Sequence, residues 1–151
     1  MTDAITDFRA QMPSNFDTVL ELIEGYGSEL SDEEIQVVDN LSEKGINFAI
    51  DNFGCESLYI KYMEILRIFI LKIDTELVLV NDGQLGYDKT IKALVLLATL
   101  LDITLVAEGI ESPMQLIRLE ECGVSNIQGF YFAKPYPLSR MDVQTITKNY
   151  Q

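Results

Sequence analysis

The residues of this chain best suited to chemistry are carboxylates at the ends of short apolar runs. Glu21 and Glu24 follow the first run, Asp51 the second, Lys72 and Asp74 the third, and Glu108 and Glu111 the fourth, while Gln128 belongs to the fifth. Acids brought to one place repel each other unless a cation sits among them. The chain has no histidine and only two cysteines, Cys55 and Cys122, so a metal held there would take oxygen ligands, which suits magnesium, manganese or calcium rather than zinc. A plainer reading also stands: acids at strand ends serve as helix N-caps or solvated loop residues. Residue type and spacing alone leave both open.

The runs themselves define the elements that must position these groups. Residues 18–23, 47–50, 68–73, 104–107 and 126–132 are short, apolar and rich in β-type side chains, which predicts five buried strands. Between them lie segments of helical spacing. Ser31 and Glu34 form a capping-box pattern, Ile35, Val38 and Leu41 make an apolar stripe, and Gly45 ends it. Ser112, Pro113 and Gln115 open a second helix in the same way, with Leu116, Ile117 and Leu119 as its apolar face. Alternating strands and helices predict an α/β fold with a parallel sheet and right-handed crossovers. In a parallel barrel the C-terminal strand ends converge on one rim, where side chains from several strands meet over one point.

Composition bounds the possible partners. With 151 residues, 48% of them hydrophobic, the chain suits one folded domain. Eleven basic against 24 acidic residues give a formal charge of -13, which argues against nucleic acid or an anionic membrane surface as a direct partner. The most apolar stretch, 93–101, stops at Asp102, well short of the roughly 20 residues a bilayer span needs. Residues 1–16 contain no uninterrupted apolar core of a signal peptide, so a cytoplasmic location is expected. Both cysteines read as free thiols, and Cys55 has no basic neighbour in sequence to activate it.

Several segments are recognisable together. Asp51-Asn52-Phe53-Gly54, Leu71-Lys72-Ile73-Asp74, Ala107-Glu108-Gly109-Ile110-Glu111 and Gln128-Gly129-Phe130 follow one another in the order and spacing of the EAL family, preceded by Leu20-Glu21-Leu22-Ile23-Glu24 and followed by Lys134-Pro135. The chain resembles that family from about residue 13 to 137. The resemblance implies a modified β/α barrel whose active members linearise cyclic di-GMP with two divalent metals, Mg2+ or Mn2+. It implies that Glu21 is a metal ligand, Asp51 a carboxylate bridging both metals, and Glu108 a metal ligand or general base. Lys72 would hold the attacking water and the phosphate. Glu24 would steady the loop after the next strand, and Glu111 and Gln128 would line the metal and substrate site. Two metals in such a site clamp the attacking and leaving oxygens and make hydroxide available at neutral pH.

Three departures from the family pattern shape the expectation. No Glu-Ala-Leu motif precedes Glu21, nor does the strand that carries a metal-binding asparagine in the family. Asn52 replaces the second aspartate of an Asp-Asp pair, removing one negative charge from the second metal position. Cys55-Glu56 replaces a Thr-Gly pair in the following loop. We therefore expect a single unit over residues 1–151 forming a partial, truncated TIM-type β/α barrel with about five parallel strands. Its metal residues Glu21, Asp51, Asn52 and Glu108 are expected to be vestigial, with Lys72 as a counter-charge to the surviving acids. The expected function is a degenerate EAL-domain protein without phosphodiesterase activity, acting as a regulatory protein-interaction module in cyclic di-GMP-related signalling. The alternatives are a cyclic di-GMP-binding receptor, or a phosphodiesterase whose site another chain completes. An incomplete barrel leaves strand edges and an apolar face to cover, and residues 90–101 are apolar around nearly the whole helical circumference, with Leu100 where the family usually has a polar residue. Self-association or a tight protein partner is expected.

Overall fold

The computed structural model describes residues 2–13, 17–22, 30–54 and 60–135. Five strands form one sheet: β1 (Thr18–Leu22), β2 (Ile46–Phe53), β3 (Ile68–Ile73), β6 (Thr104–Ala107) and β7 (Asn126–Ile127). Their order is β1-β2-β3-β6-β7, and every pairing is parallel. Two further strands, β4 (Val80–Asn81) and β5 (Gln84–Leu85), make a separate antiparallel hairpin. The helices are α1 (Thr2–Gln11), α2 (Asp32–Glu43), α3 (Tyr62–Ile65), α4 (Asp88–Leu100) and α5 (Pro113–Glu121).

Both expected capping boxes are present. Ser31 accepts from the Glu34 N–H while the Glu34 carboxylate accepts from the Ser31 N–H, and Ser112 and Gln115 repeat the exchange at the start of α5. Gly45, at φ 80°, follows α2 in the left-handed conformation that the cap leaves to glycine. Val38 and Leu41 of α2, Ile91, Leu94 and Ala98 of α4 and Leu119 of α5 are buried with Phe48, Ile50, Leu71, Ile73, Leu105 and Ala107 of the strands. Helix α2 packs on β2, and α4 on β6. That alternate-residue core leaves the other strand positions, Glu21, Asp51 and Lys72 among them, for a different surface.

Strand β2 is longer than the apolar run predicts because it carries a bulge. Ile50 pairs with Leu71 and Phe53 with Ile73, so two residues of β2 lie between register pairs that have only Lys72 between them on β3. Asn52 absorbs the extra residue at φ 55°, a left-handed conformation asparagine tolerates. The fifth strand is shorter than expected. It covers Asn126–Ile127 rather than running to residue 132, because the chain turns at Gly129 and the Phe132 N–H returns to the Gly129 carbonyl at 3.1 Å. A Cβ at Gly129 would collide with the Ile110 backbone, so this turn sits directly on the loop after β6.

Candidate functional site

Four of the residues singled out in the sequence meet at one rim of the sheet. Glu21 comes from the end of β1, Asp51 from the β2 bulge, Lys72 from β3 and Glu108 from the residue after β6. Lys72 is at the centre: its Nζ lies 2.7 Å from Glu21 Oε1, 3.0 Å from Glu108 Oε1 and 3.1 Å from Asp51 Oδ1. The ammonium side chain is only 11% exposed, as against 15% for Asp51, 19% for Glu108 and 49% for Glu21. Its three N–H donors match three carboxylates in number. Burial alone would lower the lysine pKa, but the contacts with Glu21, Glu108 and Asp51 outweigh it and hold the ammonium above its ordinary range. Lys72 is therefore charged throughout the neutral range.

Asp51 is constrained on both oxygens. Oδ1 is buried and has the Lys72 charge beside it, without hydrogen-bond alignment, while Oδ2 accepts from Asn52 Nδ2 at 3.2 Å. The amide of Asn52 thus faces the carboxylate with its donor end.

Glu111 and Gln128 stand beside this cluster. With Glu108, Thr75, Phe130 and Lys134 they line a cavity of about 480 Å³. Two loops build it. The Gln128 N–H bonds the Ala107 carbonyl at 2.8 Å, the Ile110 N–H bonds the Gln128 carbonyl at 3.2 Å, and the Tyr131 N–H bonds the Ile110 carbonyl at 2.9 Å. Gly109, at φ 72°, lies against the Thr75 side chain so closely that no Cβ fits. Lys134 Nζ sits 6.0 Å from the centre of the Phe130 ring.

Asp74 is a turn cap: its Oδ1 accepts from the Glu76 N–H at 2.7 Å, the plainer of the two readings for a strand-end acid. Glu24, Cys55 and Glu56 lie outside the described residues. Cys122 is a buried free thiol whose pKa is raised by burial, with Asp88 and Glu121 adding to the shift and Lys92 opposing it. A residue that sequence reasoning valued only as a cap is Gln115. Its Oε1 accepts from the Glu111 and Ser112 N–H groups, and its Nε2 reaches the Val78 carbonyl, joining the cavity loop to the turn after β3. Only the helix-start pattern signalled it.

The donor set at the rim is all oxygen and so fits a hard divalent ion by type. Glu21, Asp51 and Glu108 would hold such an ion, and in this structure their oxygens converge on the Lys72 ammonium. No helix among the described residues is long and apolar enough to cross a membrane.

The comparisons with known proteins agree with this architecture. Residues 1–135 match the EAL domain family, and the chain belongs to it. It is 30% identical over 111 residues to the cyclic di-GMP phosphodiesterase NbdA of Pseudomonas aeruginosa, a match that covers 74% of this chain and 14% of NbdA. The crystal structure of the EAL domain of Mycobacterium smegmatis DcpA superposes with a TM-score of 0.78 at 25% identity, covering 96% of this chain and 65% of that one. The Klebsiella pneumoniae BlrP1 manganese/cyclic di-GMP complex superposes with a TM-score of 0.69 at 28% identity, covering 78% of this chain and 30% of that one. The chain thus spans less than two thirds of the length of each of these relatives.

Proposed function

We propose that residues 1–151 act as one EAL-derived unit in the cytoplasm that regulates by binding a protein rather than by hydrolysing cyclic di-GMP. The observation that carries this reading is the lysine-centred rim. Lys72 engages Glu21, Asp51 and Glu108 within 3.1 Å, so a side-chain cation already occupies the point between the carboxylates that would hold metal and offsets part of their charge. Asn52, in place of an acid, supplies a hydrogen-bond donor to Asp51 where catalysis would call for another anionic ligand. Glu21, Asp51, Asn52 and Glu108 are then remnants of a metal site, to which Mg2+ or Mn2+ binds weakly, and Lys72 is a structural counter-charge. The protein-binding half of the proposal is supported by α4, where Leu96 is 60% and Leu100 74% exposed on a helix whose opposite face is in the core. A second copy of the chain is the simplest partner for such a face. Light scattering at micromolar concentration tests it: a dimer or larger assembly is expected, and a well-folded monomer would remove the support that α4 gives.

A second reading rests on the cavity. Its volume of about 480 Å³, the exposed Phe130 ring and Lys134 offer space, a stacking surface and a cation to part of a nucleotide, and the BlrP1 relative is described in complex with cyclic di-GMP. The -13 formal charge works against a dianionic ligand. Calorimetry with cyclic di-GMP, with and without Mg2+ or Mn2+, separates the readings: the binding-module proposal expects no saturable heat, and metal-independent saturable heat establishes a receptor.

A further inference from the structure

We infer that α4 pairs with α4 of a second copy of this chain, antiparallel about a two-fold axis near Leu96, so that Lys89 of each copy lies over the C-terminal end of the other helix. The inference rests on the second-copy reading above and deepens it by fixing the surface and its sense. Two features of α4 carry it. Lys89, Ala93, Leu96 and Leu100 are exposed and follow one another at spacings of four, three and four, so they share one line along the helix, opposite the buried Ile91, Leu94 and Ala98. That line is graded, with a charge at its start and two leucines towards its end. The charges also run against the helix dipole. Lys89 sits in the first turn, near the positive end, and has no ion pair among the described residues, whereas Lys92 is held by Asp88 at 3.5 Å. The last turn contains no basic residue, and the exposed Asp102, equally without an ion pair among the described residues, follows it.

Antiparallel pairing about Leu96 turns each feature into a contact. At 1.5 Å of rise per residue, Leu100 lies about 6 Å beyond the axis and Ala93 about 4.5 Å before it, so the large side chain of one copy packs over the small one of the other. Lys89 lies about 10 Å before the axis, which sets its ammonium over the stretch from Leu100 to Asp102 of the second copy. There it meets the negative end of the helix dipole and an unpaired carboxylate. The two-fold repeats both contacts, so each copy supplies the charge the other lacks. A parallel pair does the reverse and sets the two lysines against each other. The same charges select the occupant. A formal charge of -13 repels an anionic membrane, and a helix face whose cationic and anionic ends match under a two-fold is complementary to itself.

The test is sedimentation equilibrium of the purified parent chain, of Lys89→Glu, of Leu100→Lys and of the two combined. The parent is expected to be a dimer, and each single variant is expected to raise the dimer Kd about tenfold, because the two-fold counts every exposed charge contact twice. In the combined variant the exchanged charges meet with opposite sign across an antiparallel pair, and its Kd is expected to fall about fivefold below that of either single variant. In a parallel pair the exchanged charges would meet their own kind. A combined variant no tighter than the single ones therefore overturns the inference. Lys89→Glu dimerising as tightly as the parent also overturns it, while leaving self-association through another surface. A monomeric parent overturns it together with the second-copy reading. Urea denaturation shows which variants are folded, and if the combined one is not, Lys89→Glu decides: an unchanged Kd overturns the inference and a raised one upholds it. Hydrolysis of cyclic di-GMP by the parent chain would refute the non-hydrolytic reading of the rim, and these Kd ratios would stand apart from it.

Discussion

Gln115 Nε2 donates to the Val78 carbonyl at 3.2 Å, across 37 positions of sequence. The same side chain caps α5 through Oε1, so one buried amide ties the helix start, the Glu111 backbone and the turn after β3 into a single support for the cavity. Gln115→Ala is expected to cost about 2 kcal/mol, since it strips a helix cap and leaves a buried carbonyl unpaired. Gln115→Glu keeps the acceptor and faces the Val78 carbonyl with negative charge, and it should recover only part of that loss. Urea denaturation of the three chains checks the order.

Lys72→Met leaves Glu21, Asp51 and Glu108 facing one another without a cation. The expected cost is about 3 kcal/mol, the low end for breaking a buried pair because Glu21 is half exposed. The sign of the pH effect follows from the raised pKa. The stabilisation is complete below the ordinary lysine value of 10.5 and is lost only as pH rises through the higher folded value. Denaturation curves of the parent and Lys72→Met chains should therefore differ by a constant amount between pH 7 and pH 9.

The α2 capping box gives the opposite pH dependence. Hydrogen bonds from the Ser31 backbone and side chain hold the Glu34 pKa below its ordinary value, so its contribution is full above that value and fades as pH falls through the lower folded one. Ser31→Ala is expected to cost about 1 kcal/mol at pH 7. The gap from the parent should narrow in acid, and a gap independent of pH would separate the cap from the Glu34 charge.

How much of this was legible beforehand differs from element to element. The α/β class, both capping boxes and four of the five sheet strands were readable because each depends on local periodicity or a short pattern. The β4–β5 hairpin was missed although Asn81-Asp82-Gly83-Gln84 carries its signal: Asp82 and Gly83 both have positive φ, as a two-residue hairpin turn requires. The end of β7 was misplaced because 126–132 reads as one β-type run, while the turn inside it is set by contact between Gly129 and Ile110. At the rim, residue types announced Glu21, Asp51, Lys72 and Glu108, and the spacing of the strands brought them together. The reach of Gln115 to Val78 depends on tertiary approach, which no local pattern encodes.

Leu96→Glu with Leu100→Glu places two charges on the exposed face of α4 and leaves Ile91, Leu94 and Ala98 in the core. If that face is covered by a second copy, the double variant should run as a folded monomer in light scattering under conditions where the parent associates, with stability altered by no more than about 0.5 kcal/mol.

The proposed function requires that the lysine-centred rim leave cyclic di-GMP intact. The direct measurement is chromatography of cyclic di-GMP after incubation with the purified chain in Mg2+ and in Mn2+. The expected result is recovery of the cyclic dinucleotide unchanged. Formation of the linear dinucleotide by the parent chain, abolished by Glu108→Gln, would show that the rim is catalytic and overturn the proposed function.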